Sequence, residues 1–419
     1  MKAASEPDAP RVPEAHGPAR VGGAIAQLAA VSHRLPERQP GAAPRRSWAI
    51  NGDFLTLNPT GVARYAREIT AQLDALVAEG HPLTRDLDLE LIVPREVDTP
   101  FEHIPTRLVR EFNRPRLPQL WVQAQLPFHV KGGLLSFCNL APVAVKRHIV
   151  CIHDLHTRLM PESYGLFFRL AHRVILPLLG RRAARVTTVS GLSREHLVAY
   201  GVAPRSKIVV THNGSDHALR WKRERARLAL KPDRPFVLCL GRPQKYKNVA
   251  LMLGLAPALE RMGLDLWMAG DIDATALCRY GPRVPGNVRL LGRISDDDFA
   301  GALTHALCFL FPSRIEGFGL PAVEAMALGC PVVASTSPCL PEVCGNGALF
   351  ADPDDTEGWL RAIVNLKDNR ALRSRMIDLG RARASAYSWR SIAERYLALM
   401  AEVDGLSPRL GEMECRKAG

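Results

Sequence analysis

The chain has 419 residues, 47% hydrophobic and 23% charged, which is long enough for two to three domains with a sizeable core and excludes both a single small binding module and a wholly disordered chain. Lys and Arg total 55 against 42 Asp and Glu, and the resulting +13 favours anionic partners: nucleic acid, an acidic membrane face or phosphorylated small molecules. The nine cysteines are an odd number with no Cys-x-x-Cys, several within apolar runs, and point to free buried thiols in a reducing compartment.

Residues 1–45 are rich in Pro, Ala and Arg, with prolines at 7, 10, 13, 18, 36, 40 and 44 that break any helix, and predict a disordered extension. The best signal-peptide candidate, residues 21–31, is mostly Gly and Ala and follows Glu6, Asp8 and Glu14 where a basic segment belongs, so export is not expected. No apolar run approaches the ~20 residues that span a bilayer, and the expected location is the cytoplasm or the inner face of its membrane. From Trp48 short apolar strands alternate with longer helical stretches, the pattern of a parallel sheet flanked by helices. The clearest strands of the first half are 89–93, 148–152 and 185–189. A turn cluster, Asn213-Gly214-Ser215-Asp216, and the charged stretch 221–227 mark a boundary. Beyond it the alternation repeats, with strands at 236–240, 264–269, 288–291, 308–311 and 331–334. Two doubly wound α/β domains, 46–220 and 221–387, follow, with their strand-end loops around one cleft.

The most informative segment is 308–341. A strand leads into Ser313-Arg314-Ile315-Glu316-Gly317-Phe318-Gly319, then into a helix opening with Leu320-Pro321 and capped by Gly329. Gly317 and Gly319 allow close backbone approach and the helix start offers unpaired N–H groups, so a phosphate can sit there. Glu324 is the only charged residue between Glu316 and Gly329. A carboxylate on so apolar a helix needs hydrogen-bond partners or an open cleft, and ribose hydroxyls would supply partners. The plainer accounts are a glutamate complementing the helix dipole for Glu324 and a solvated loop acid for Glu316.

The run from Glu316 through Ser335, EGFGLPAVEAMALGCPVVAS, closely resembles the signature of family 4 retaining glycosyltransferases of the GT-B fold, with its two glutamates eight positions apart. Pro341-Glu342-Val343 and residues 347–352 continue the resemblance. Gly241-Arg242 with Lys247-Asn248 resembles the donor-diphosphate site of that family. A cation ~4 Å from a pyrophosphate is worth about 4 kcal/mol at an effective dielectric of 20, before desolvation, and most in the transition state as the leaving group gains charge. Cys151-Ile152-His153-Asp154 resembles the His-Asp segment that faces the donor sugar. Asn58-Pro59-Thr60-Gly61-Val62-Ala63-Arg64-Tyr65 resembles the loop and helix start beneath the transferred sugar, with Thr60 where many members have the first of two glycines. Val189-Ser190 with Ser193, residues 212–216, and Ser388-Trp389 with Tyr396 look like architectural landmarks.

The resemblance implies a GT-B enzyme with an acceptor-side domain at 46–220, a nucleotide-sugar-binding domain at 221–387, a helix at 388–402 crossing back, and a flexible tail at 403–419. It implies that Arg242 and Lys247 stabilise the diphosphate, Glu324 holds the ribose and Glu316 orients the sugar. Gly317, Phe318, Gly319, Leu320 and Gly61 would surround the donor, and His153 would contact the sugar from the opposite domain. No cofactor, metal or obligatory protein nucleophile is implied. The first-domain segments look most like bacterial mannosyltransferases of surface polysaccharide synthesis, so GDP-mannose is the first expected donor. UDP-dependent glucosyl or galactosyl transfer is the alternative, and the acceptor is a glycan or lipid-linked glycan. A catalytically silent nucleotide-sugar scaffold is the rival class, opposed by the joint presence of Glu316, Glu324, Arg242, Lys247 and His153.

Three patterns imitate other functions. Asp271-Ile272-Asp273 resembles a metal-binding Asp-x-Asp but directly follows a strand and a glycine, as a solvated loop would. Ser295 with Asp296-Asp297-Asp298 reads as a helix start with acids at the positive end of the dipole. Gly317-Phe318-Gly319 with Ala322 imitates a dinucleotide fingerprint but lies too late in its domain. Residues 165–185 carry Arg169, Arg173, Arg181, Arg182 and Arg185 with no acid among apolar residues. They fit either docking on anionic lipid or an apolar stripe packed inward with arginines outside. Nucleic acid is set aside, because no helix-turn-helix, zinc or stacking-aromatic pattern accompanies the charge.

Overall fold

A strand covered by helices on both faces has no polar side, and Phe236–Leu240 (FVLCL) and Val332–Ser335 (VVAS) are of this kind, apolar or small throughout and almost wholly buried. The computed structural model describes residues 46–58, 60–112, 118–227, 232–277 and 284–406; the extension read at 1–45 and the tail beyond 406 lie outside them. Among the described residues two sheets form, with every strand pairing parallel. The first contains β1 (Arg46–Asn51), β2 (Leu87–Val93), β3 (Thr106–Leu108), β4 (Gly133–Ser136), β5 (His148–Cys151), β6 (Arg185–Thr188) and β7 (Ile208–Val210), in the order β3-β2-β1-β4-β5-β6-β7. The second contains β8 (Phe236–Leu240), β9 (Asp265–Ala269), β10 (Val288–Gly292), β11 (Phe309–Phe311), β12 (Val332–Ser335) and β13 (Ala348–Ala351), in the order β10-β9-β8-β11-β12-β13.

The doubly wound order thus occurs twice. Strand order reverses between β1 and β4 in one sheet and between β8 and β11 in the other, and the crevice beyond the strand ends at such a reversal is where an open α/β sheet takes its ligand. The described cysteines are free thiols, all buried except the half-buried Cys138.

Several contacts join the halves. The last helix, Trp389–Val403, returns to the first sheet, where the Tyr396 hydroxyl meets Thr187 Oγ1 at 2.6 Å and the Tyr65 hydroxyl at 2.9 Å. Just past that helix, Asp404 accepts from Arg46 at 2.5 Å, from Trp48 Nε1 at 3.0 Å and from Arg147. Glu342, on the short helix Cys339–Cys344, caps the helix Gly191–Ala199 of the first half, accepting from the Gly191 and Leu192 amides at 2.7 and 3.1 Å.

Candidate active site

The second sheet's reversal point carries the residues singled out for donor binding. β8 runs into Gly241-Arg242, and the tight turn Lys245–Lys247 follows. β11 runs into the loop bearing Glu316, then Gly319, then the helix Leu320–Ala327. Gly319 has φ +93°, and a Cβ there would lie 2.6 Å from Leu340 Cδ2, so only glycine fits this helix entry. The two loops meet: Lys247 Nζ donates to Glu316 Oε1 at 2.6 Å, and both side chains are largely covered. The Lys247 ammonium also lies over the Tyr246 and Phe311 rings, at 5.2 and 5.5 Å from their centroids. Arg242 is exposed and close enough to act on the Tyr246 hydroxyl.

Glu324 is 5% exposed and sits in the second turn of its helix, too far along to serve mainly the helix dipole. Its Oε1 accepts from His217 Nε2 at 2.8 Å, and Arg64 Nε lies 3.9 Å from the same oxygen. On the far side of the imidazole, Trp389 Nε1 donates to His217 Nδ1 at 2.9 Å.

The first sheet contributes the segment after β5. The His153 ring is buried, with Nε2 2.8 Å from the Phe137 carbonyl and its plane edge-on to Tyr65 at 4.8 Å. Burial disfavours charge on His153, but the adjoining Cys151 sulfur, the Phe137 carbonyl and the Asp154 carboxylate raise its pKa to about 9. Asp154 faces the opposite lobe: a Cβ on Gly317 would come within 3.1 Å of Asp154 Oδ2. Across the same gap, burial first and then the Glu316 and Asp154 charges push the Tyr246 hydroxyl up to about 12, and the Tyr164 hydroxyl shifts the same way. Gly61 opens the helix Gly61–Ala78, and Thr60, in place of a glycine, caps it by accepting from the Ala63 amide at 3.3 Å.

The structure therefore gathers Lys247, Glu316, Arg242, Gly317 and Gly319 on one wall and the His153–Asp154 segment on the other, with Glu324 one helical turn deeper. The Phe318 side chain is 3% exposed and packs edge-on to Tyr387 at 5.3 Å, and the Leu320 side chain is buried too, so these two positions offer a ligand their backbone. His217, Trp389 and Tyr164 were not read as site residues. The Asp-x-Asp imitation is accounted for locally, since Asp271 pairs with Arg293 at 2.7 Å and Asp273 accepts from the Ala276 amide. Ser295 and Asp298 form a reciprocal cap on the helix Asp296–His305. The helix Leu166–Arg182 divides: His172, Leu176, Leu179 and Gly180 form a buried stripe along its second half, whereas Leu166, Phe167, Leu170 and Val174 stand in solvent, with Phe167 88% exposed.

Two parallel sheets of the same order, meeting across a cleft that holds two glutamates and two cations, define a nucleotide-sugar-dependent glycosyltransferase of the GT-B architecture. The chain belongs to glycosyltransferase family 4: residues 59–219 match the model described as Glycosyltransferase Family 4, and residues 222–383 match Glycosyl transferases group 1. It is 32% identical over 262 residues to the O-antigen chain mannosyltransferase B of Escherichia coli, a match covering 59% of this chain and 68% of that one. It is 25% identical over 387 residues to the GDP-mannose-dependent monoacylated alpha-(1-6)-phosphatidylinositol monomannoside mannosyltransferase of Corynebacterium glutamicum, covering 84% and 97%. In fold it is similar to the sucrose-phosphate synthase from Thermosynechococcus elongatus, with TM-score 0.66 at 19% identity over 87% of this chain and 100% of that one.

Proposed function

We propose that this glycosyltransferase moves mannose from GDP-mannose, with retention at the anomeric carbon and without a metal ion, to a glycan or lipid-linked glycan acceptor. The observation that carries the reading is the Lys247–Glu316 pair at the second sheet's reversal point, opposite Asp154 and one turn from Glu324. Arg242 and Lys247 bring two positive charges to where a diphosphate would leave, supplying counter-charge that strengthens as the glycosidic bond breaks. Glu316 orients the sugar while positive charge develops at its anomeric carbon, and Glu324 accepts from the ribose. The acceptor hydroxyl enters on the face the diphosphate leaves, so no protein nucleophile is required. The mannosyl choice is supported by the Escherichia coli and Corynebacterium glutamicum relatives, both named as mannosyltransferases.

Docking on an anionic membrane belongs to the same proposal. The exposed apolar face of Leu166–Arg182 is flanked by Arg173, Arg181 and Arg182, also exposed, a combination suited to acidic headgroups. Tyr164, stacked on Phe168, places the start of this helix beside the cleft, where a lipid-borne acceptor would arrive.

Incubation with GDP-mannose, UDP-glucose and UDP-galactose, with and without chelator, tests the chemistry. GDP release from GDP-mannose unaffected by chelator, and an α-linked product by proton NMR, are expected; turnover of a UDP-sugar alone would move the donor assignment. Sedimentation with phosphatidylglycerol vesicles tests docking, and Phe167→Asp with Arg173→Glu should abolish binding that falls with salt in the unaltered protein.

A further inference from the structure

We infer that His217 is a positioning residue for donor recognition: it fixes the plane of the Glu324 carboxylate and thereby makes the enzyme select a ribonucleotide over a deoxyribonucleotide. The inference rests on the reading of Glu324 as the ribose acceptor.

His217 is 1% exposed, and each ring nitrogen has its own partner. An indole N–H can only donate, so Nδ1, 2.9 Å from Trp389 Nε1, must present its lone pair. The proton then resides on Nε2, which donates to Glu324 Oε1 at 2.8 Å. The reverse tautomer would set an N–H against the indole N–H and leave Glu324 facing a lone pair. A neutral donor holds the carboxylate without cancelling its charge, so its capacity to accept from hydroxyls is kept. The Arg64 guanidinium, 3.9 Å from the same oxygen, is drawn away to Asp296 at 2.7 Å and lies over the Trp221 ring at 5.3 Å, which leaves orientation to His217.

The support is anchored on both sides. His217 lies in the turn Asp216–Arg220 of the crossover between lobes, and Trp389 opens the helix that returns to the first sheet. Asp216 Oδ1 accepts from the Trp389 amide at 3.1 Å, tying the two segments together. A vicinal diol offers two O–H donors in fixed relation, and a carboxylate with a fixed plane meets such a pair better than one free to rotate.

The test is calorimetric binding of GDP and UDP, each with its 2′-deoxy and 3′-deoxy forms, to the unaltered protein and to Glu324→Gln, His217→Phe, His217→Gln and Trp389→Phe. The unaltered protein should prefer the ribo form roughly tenfold to a hundredfold, the span of a charged hydrogen bond. His217→Phe should cut that ratio to within threefold while leaving the deoxy affinity within twofold. His217→Gln, which keeps an N–H, should recover most of the ratio. Weakening of ribo and deoxy forms alike, or a full ratio in His217→Phe, would overturn the inference. A ratio lost in Glu324→Gln but kept in His217→Phe defeats this inference alone; a ratio kept in Glu324→Gln, or no binding of either nucleotide, defeats the ribose reading and this inference with it. Should His217→Phe fail to fold, Trp389→Phe reads the same effect at smaller size, and nitrogen-15 shifts of the imidazole must show a protonated Nε2, a protonated Nδ1 alone sinking the idea.

Discussion

Lys247 and Glu316 satisfy each other at 2.6 Å, yet the proposed chemistry asks each to serve the donor: Lys247 the diphosphate, Glu316 the sugar. Donor binding then has to exchange one ion pair for another, and the two glutamates fail in different ways when altered. Glu316→Gln should lower kcat and kcat/KM together, because its benefit is largest in the transition state. The same change frees Lys247 from a partly buried pair worth about 1 kcal/mol, so nucleoside diphosphate should bind roughly fivefold tighter, as calorimetry would register. Weaker product binding would contradict the exchange. Glu324→Ala should instead raise donor KM roughly tenfold to a hundredfold with a smaller change in kcat, measured by initial rates across donor concentration. Glu324 is legible in the sequence as an isolated charge in an apolar run, whereas Glu316, two residues from Arg314, stands out only through the family resemblance. His217 is not, because its partners lie 107 and 172 positions away and no local pattern distinguishes it from an ordinary linker residue.

At the scale of elements, strands with continuous apolar residues are legible almost to the residue, as β8 and β11 are. Others are not. β3 and β7 are three-residue edge strands, and β4 begins at a glycine because a Cβ on Gly133 would fall 2.3 Å from the Trp48 ring, a demand made from another part of the chain. Contacts between elements are equally hidden, and Glu342 is the clearest. Burial works against its charge, but His212 and the Gly191 and Leu192 amides outweigh this and hold its pKa below the usual glutamate range. A carboxylate depressed in the folded state adds stability above its unfolded pKa, about 4.3, and that contribution is lost as pH falls through the lower folded value. Glu342→Gln should therefore melt at lower temperature than the unaltered protein at pH 7, and the gap should close in acid. A constant gap down to pH 3 would mean the charge is not what joins the lobes there.

At the scale of the molecule, the last helix completes the first lobe. Tyr65 and Tyr396 share buried hydroxyl bonds, and Asp404, with a side chain 4% exposed, collects Arg46, Trp48 and Arg147. Residues 46–220 expressed alone should lack a cooperative thermal transition, whereas the same segment with 388–406 appended through a flexible linker should regain one, monitored by near-ultraviolet circular dichroism. A cooperative melt of the shorter piece would show that the first sheet needs no help. β1 leaves the ribosome early, yet the carboxylate that receives Arg46 follows 358 positions later, roughly 20 to 70 s at ordinary synthesis rates. For that interval the nascent first lobe carries Trp48 and Tyr65 without their final partners, which makes it a client for chaperones until Tyr396 and Asp404 emerge.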